Sequence, residues 1–255
     1  MAETKRLVAL DVFRGATIAL MILVNNPGSW GAIYPPLKHA AWHGWTPTDF
    51  VFPFFLFIVG VAMAFAFQKY DYRLNRPALM KIIKRTLIIY GLGLLLNFIR
   101  PVAGESFGEV LGNLFGTWRL VGVLQRIALC YFFASILVLK FDRRTVAWIA
   151  AGILLGYWIL LASTGGYGVE DVLVRKIDLA ILGDGHVYHG YRDSAGRAIA
   201  FDPEGLLSTL PAIVTTILGF FAGMLIRETD DKKQLVKKML IQGAALLLLG
   251  GLWGL

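Results

Sequence analysis

The chain has 255 residues, 57% of them hydrophobic and 16% charged, with a mean hydropathy of +0.64 and a formal net charge of +8. An ordinary soluble domain carries ~25% charged residues, so this composition excludes that class. Aromatic residues at 13% exclude a disordered chain, and a single cysteine, Cys130, excludes a disulfide scaffold.

A helix crossing the hydrocarbon core needs ~20 mostly apolar residues. Seven segments approach that length, at roughly 7–24, 48–68, 86–99, 119–139, 146–163, 206–226 and 239–255. Backbone groups in lipid must be satisfied within the segment, so each is expected to be a helix. The predicted fold is an all-α polytopic transmembrane bundle of about seven spans, forming one domain over residues 1–255. The second segment is the clearest, with no charge from Phe50 to Phe67. The third is short, and its neighbours require a crossing there. The first is no cleaved signal peptide: it holds Asp11 and Arg14 within the apolar run and lacks a small-residue cleavage site. Three small-xxx-small pairs, Gly152/Gly156, Gly219/Gly223 and Gly250/Gly254, suit close helix packing or arise by chance in a chain with 28 glycines. The same glycine-rich faces permit a homodimer.

Basic residues set the orientation. With a cytoplasmic N-terminus, the inner segments hold sixteen of the 25 Lys and Arg residues and the outer segments seven, Arg100 among them. Acidic residues run the other way, so the inner face is near +10 and the outer face near −3. The basic excess is therefore topological, and nucleic acid is excluded as a partner in favour of the lipid bilayer. The seventh segment is still apolar at Leu255, so the chain is expected to be truncated at its C-terminus.

Two outer loops are long. Residues 25–47 gather Asn25, Asn26, His39 and His43, with Asp49 at the start of the next helix. Asp49 either caps that helix or contacts a substrate. His39 and His43 have the i, i+4 spacing of two metal ligands on one helix, but Pro35, Pro36, Gly44 and Pro47 argue against a helix there, and no metal is expected. A loop histidine suits general-base work or transient acyl carriage, or it packs among Trp30, Trp42 and Trp45. Residues 164–205 form the second loop, with His186 and His189 in a glycine-rich stretch. Within the spans, Asp11 and Arg14 share a helix face and either pair with each other or leave Arg14 to bind an anion such as a nucleotide phosphate. Arg126 has the same two readings.

Five blocks of the sequence resemble one family: LDVFRG (10–15), MILVNN (21–26), KHAAWHGWTPTDFVFPFFLFIVG (38–60), GVLQRIALCY (122–131) and DPEGLLSTLPAIVTTILGFFAG (202–223). The family is the heparan-alpha-glucosaminide N-acetyltransferases, with their bacterial homologues. The resemblance implies transfer of an acetyl group from cytosolic acetyl-CoA to an amino sugar on the far side of the membrane. It implies an active-site histidine at His39 and a companion asparagine at Asn25. Position 43, often Asn in relatives, is His here, which leaves His43 outside the expected machinery. Relatives continue through further spans, and the lysosomal members carry an N-terminal extension absent here, so a bacterial inner-membrane protein is expected.

His39 would take the amine proton or carry the acetyl group itself, with Asn25 bonding the oxyanion or orienting the imidazole. Asp49, Asp202 and Glu204 are candidate contacts to the sugar, and Arg14 and Arg126 to acetyl-CoA. Asp202 and Glu204 of the DPEG block equally suit capping of the helix that follows. A competing class is a transporter or flippase of an amino sugar or glycolipid, which would show inverted repeats and interrupted helix pairs. A non-catalytic membrane subunit is the third reading. Product formation dependent on acetyl-CoA separates the enzyme from both.

Overall fold

The computed structural model describes residues 7–98, 108–109, 112, 116–164, 166–193 and 195–254. Lys5, Arg6, Arg100 and Leu255, which entered the charge count and the truncation argument, lie outside the described residues. Eight helices are found there: α1 (Val8–Asn25), α2 (Val51–Ala66), α3 (Arg76–Phe98), α4 (Val123–Lys140), α5 (Arg143–Ser163), α6 (Leu173–Leu182), α7 (Thr209–Glu228) and α8 (Lys232–Trp253). A two-stranded hairpin, β1 (Tyr191–Arg192) and β2 (Ala198–Ile199), lies in the second long loop, with Tyr191 opposite Ile199. The protein is an all-α, multi-pass membrane protein.

Among the described residues six helices are long and apolar enough to cross a membrane: α1, α2 with the turn from Pro47 ahead of it, α4, α5, α7 and α8. The third expected segment falls on α3, whose first turns carry Arg76, Lys81, Lys84 and Arg85. Its contacts nonetheless run the full length of the bundle. Leu74, just ahead of it, donates to the carbonyl of Leu139 at the C-terminal end of α4. Near its other end, Tyr90 donates to Leu120 and Asn97 to Arg119, ahead of α4. Its 23 residues reach ~35 Å at 1.5 Å each, enough for a ~30 Å hydrocarbon core.

The core lies between α2, α3, α4, α5 and α7, around Leu56, Met63, Ile82, Tyr131, Val146, Ile217 and Phe220. Its tightest seam is α2 against α7. A Cβ on Gly60 would sit 1.9 Å from the Thr216 carbonyl oxygen, and one on Gly219 2.1 Å from that of Phe57. Gly223 would crowd Ala64 and Val61 in the same way. Without a hydrophobic force between helices in lipid, such close backbone approach is what small residues contribute. The Gly219/Gly223 pair therefore packs a helix seam. Gly152 and Gly156 have open space instead, and Gly254 faces only carbonyls of its own helix.

The two ends of the bundle differ. One carries the loops after α1 and α5 and the segment leading into α4. The other carries the short basic connections α2–α3, α4–α5 and α7–α8. The helices α1 and α8 lie outside the core, with two buried residues and none respectively. Phe13 of α1 packs on Phe54 of α2, and Trp253 of α8 on Trp158 of α5.

Candidate active site

The first long loop folds on a few polar contacts. Pro35–Leu37 form one 3-10 turn and Pro47–Phe50 another, and Gly44 takes φ +94°, a left-handed conformation that favours glycine. Thr46 closes the loop by donating to the Lys38 carbonyl at 2.8 Å, and buried Thr48 donates to Pro36. Thr46 and Asp49 form a capping box ahead of α2. Residues 39–46 are not helical, so the i, i+4 spacing of His39 and His43 does not place them on one helix face.

Asp49 holds more than the helix start. Its Oδ1 lies 2.6 Å from Nδ1 of His39, while Oδ2 accepts from the backbone N–H of Thr46 at 2.8 Å and that of Ala40 at 3.3 Å. The Thr46 hydroxyl also donates to Oδ2. An ionised carboxylate only accepts, so Nδ1 of His39 carries the shared proton and Nε2 of the neutral ring keeps a lone pair. Among the described residues Nε2 has no hydrogen-bond partner, and 65% of the side chain is exposed. The arrangement presents an imidazole nitrogen that can accept a proton, on a ring whose orientation and tautomer a carboxylate fixes.

Asn25 ends α1, and its amide donates to the Met21 carbonyl at 2.9 Å. Among the described residues no hydrogen bond joins it to His39. Arg14 is exposed on α1 and paired with Asp11.

The first loop is tied to the second through Trp42. Its indole N–H donates to the Tyr167 carbonyl at 2.5 Å, and its ring packs edge-on against Phe201 and Tyr191. A cavity of about 270 Å³ opens beside it, lined by Trp42, His43, Tyr157, Tyr167, Phe201 and Ser208 among others. Burial pushes the Tyr191 phenol above its ordinary pKa, and the charges of Glu204 and Asp49 add to the shift. Tyr191 thus lies within electrostatic reach of both.

Behind the cavity is a set of buried charges. Arg119 grips Asp202 with a two-pronged contact, Nε to Oδ2 at 2.7 Å and Nη2 to Oδ1 at 2.6 Å, and reaches Glu204 as well. Asp202 is fully buried and also accepts from the N–H groups of Tyr188 and Glu204. Burial works against the Arg119 charge, but Asp202 and Glu204 outweigh it and hold the guanidinium above its usual pKa. Arg126 donates to the Gly205 carbonyl and to the Ser208 hydroxyl, and its Nε is buried without a partner. His186 bonds the Trp118 carbonyl through Nδ1 and accepts from Leu120 through its own carbonyl, strapping the second loop to the start of α4. His189 pairs with Asp184 at the surface. Among the described residues no three His, Cys, Asp or Glu side chains gather as a metal site requires.

The sequence reading missed two parts of this arrangement. One is Arg119, counted only as a loop charge. The other is Asp178 of α6, 1% exposed, whose Oδ1 accepts from the Leu206 N–H at 2.8 Å. Burial raises its pKa to about 6. A signal existed: Val174, Ile177 and Asp178 fall on one face at helical spacing, which puts an acid in an apolar stripe.

The comparisons with known proteins bear on this geometry. A family model described as heparan-alpha-glucosaminide N-acetyltransferase, catalytic, matches residues 6–183. The chain belongs to this family. That match holds the whole His39–Asp49 loop and stops before the DPEG segment. The human heparan-alpha-glucosaminide N-acetyltransferase is 30% identical over 87% of this chain and 38% of its own length. The mouse protein of the same name is 28% identical over 92% of this chain and 41% of its own. The chain therefore spans about two fifths of the length of these heparan-alpha-glucosaminide N-acetyltransferases.

Proposed function

We propose that the chain is the catalytic core of a transmembrane acetyltransferase, moving an acetyl group from acetyl-CoA to the amine of a glucosamine-type sugar. The observation that carries this reading is the 2.6 Å contact between His39 Nδ1 and Asp49 Oδ1, with Nε2 left open. Family membership supplies the reaction class. The basic end faces the cytosol, as the Lys and Arg distribution favours, and the loop end faces outward. Acetyl-CoA is thus delivered from the basic side and the sugar from the loop side.

The transfer needs an uncharged amine, a base, and support for the oxyanion. In the direct route, the amine nitrogen attacks the thioester carbonyl while His39 Nε2 removes its proton. The tetrahedral intermediate then collapses, the C–S bond breaks, and the proton passes from His39 to the leaving thiolate. Asp49 acts through His39 by stabilising the imidazolium, and it makes no contact with the sugar. The relay route uses the same Nε2 as nucleophile, and only that route leaves acetyl on the protein without an acceptor. Asn25, at the same membrane end, retains a side-chain oxygen and serves as a secondary polar contact.

The aromatic cavity beside Trp42 is the acceptor site in this reading, since aromatic faces suit the apolar faces of a sugar ring. Glu204 lies close by and attracts the amine. Asp202, with both oxygens occupied by protein donors, holds Arg119 and the loop instead. Arg14, in the half of α1 nearer the basic end, is the candidate phosphate contact for acetyl-CoA, and Arg126 holds Ser208 of the cavity lining.

The test is transfer of label from acetyl-CoA to glucosamine by the protein in nanodiscs, wild type against His39→Ala. Labelled N-acetylglucosamine from the wild type alone is expected. Equal turnover in both removes His39 from the chemistry, and no product from either overturns the proposal.

A further inference from the structure

The acid Asp178 has no role in the chemistry above, yet it is buried at the loop end with one carboxyl oxygen bonded and the other without a partner. It sits on α6, a ten-residue helix within the second loop, and its carboxyl reaches into the turn that begins α7. Oδ1 accepts from Leu206 N–H at 2.8 Å. Oδ2 is buried without a partner and lies so close to Gly205 that a Cβ there would stand 1.7 Å from it. Only glycine fits against the carboxyl, so residues 178 and 205 are matched in shape.

What Asp178 fixes is the anchor of the cavity wall. The Gly205 carbonyl accepts from Arg126 Nη2 at 3.1 Å, from Ser208 Oγ at 3.2 Å and from Thr209 Oγ1 at 2.8 Å. Ser208 also meets Arg126 directly and lines the cavity. On its own helix, Asp178 is four residues from Val174, another lining residue. The charged and titratable groups facing Asp178 from other elements are Arg126 of α4, Asp202 of the loop and Tyr157 of α5. One carboxyl thus joins α6 to the 205–208 turn, and the turn holds the guanidinium.

We infer that Asp178 is a positioning residue of the acceptor site: through the Leu206 amide it sets the Gly205–Ser208 turn, and through that turn Ser208 of the cavity lining and the Arg126 guanidinium that holds it. The inference rests on the transferase reading for its kinetic consequence. Its structural consequence, an ordered turn, is independent of turnover.

The experiment compares wild type, Asp178→Asn and Asp178→Ala in nanodiscs. Asn keeps an acceptor oxygen for the Leu206 amide and Ala does not. In the Ala variant the KM for glucosamine is expected to rise about tenfold, the scale of one lost hydrogen bond to a charged group, with kcat within a few fold. The Asn variant stays close to wild type in KM. Hydrogen exchange at the Leu206 amide quickens in the Ala variant alone. An unchanged KM with Ala, an equal KM rise with Asn and Ala, or exchange unaltered in the Ala variant each overturns the inference. If the wild type shows no transfer, the transferase reading fails and the exchange comparison alone decides the role of Asp178. Should Asp178→Ala not fold, Gly205→Ala displaces the same contact from the turn side and is read by the same two measurements, with the same outcomes for and against.

Discussion

The two ends of the bundle handle charge in opposite ways. At the loop end, polar groups far apart in sequence meet with one partner of each pair buried: Asp202 with Arg119, Arg126 with Ser208, Asp178 with the Leu206 N–H. At the basic end the ion pair that joins distant segments, Arg143 to Glu228, 85 residues apart, stays about half in solvent. Buried charge is tolerated only when paired and hydrogen-bonded, so a fold that keeps it at one end has a use for fixed geometry there. The basic end needs only net charge, which sets topology and asks nothing of geometry. Excess basic residues mark an orientation, and paired ones mark a site.

The sharpest way to break this contrast is at His39. Asp49→Asn replaces an acceptor with a group that also donates. The amide N–H turned toward Nδ1 would favour the tautomer with Nε2 protonated, which is useless as a base. Transfer is expected to fall by about 10²–10⁴-fold while the protein remains folded, because Asn still caps α2. Initial rates with labelled acetyl-CoA measure this. A loss below tenfold would reduce Asp49 to a helix cap and remove the dyad from the argument.

How much of this the sequence carried depends on distance along the chain. The apolar runs were readable because each span needs only its own residues to be recognised. Even so, α3 begins well before its apolar part, since a helix extends through charged residues that reach the membrane surface. His39 and Asp49 are ten residues apart, and both were singled out. Asp49, however, reads as a helix cap or a substrate contact, and nothing local says that a loop returns its histidine to the cap. Arg119 and Asp202 are 83 residues apart, and their meeting follows from how α4 and α7 pack. No pattern of spacing encodes that. Glycines give the same lesson: Gly219/Gly223 and Gly152/Gly156 have identical spacing, and only the neighbouring helix distinguishes a seam from open space.

The second prediction tests the buried half of the contrast. Asp202→Ala leaves Arg119 without its main partner in a site where the Asp202 side chain was fully covered. Breaking such a pair from one side costs ~3–5 kcal/mol, which corresponds to a fall in melting temperature of about 10 °C or more for a chain of this size. Thermal unfolding in detergent measures it. Replacing both residues together, as Arg119→Met with Asp202→Leu, is expected to restore part of the loss, because the fully covered carboxylate and its partner leave together and only the partly covered Glu204 loses its cation. A single-variant shift of only a degree or two would mean that solvent reaches this cluster and that the loop end is not built on buried charge.

The smallest effect belongs to the other end, and its smallness is the point. Arg143 donates to Glu228 through both terminal nitrogens, one contact at 2.8 Å, so the geometry matches the two-pronged grip of Arg119 on Asp202. About half of each side chain is exposed, however, at 53% and 48%. Water already solvates both partners there, and salt screens them, so a double-mutant cycle of Arg143→Ala and Glu228→Ala is expected to give a coupling below ~1 kcal/mol that shrinks further in high salt. A coupling of several kcal/mol, insensitive to salt, would show that contact geometry rather than burial decides what these ion pairs contribute. The distinction drawn between the two ends would then rest on the wrong variable.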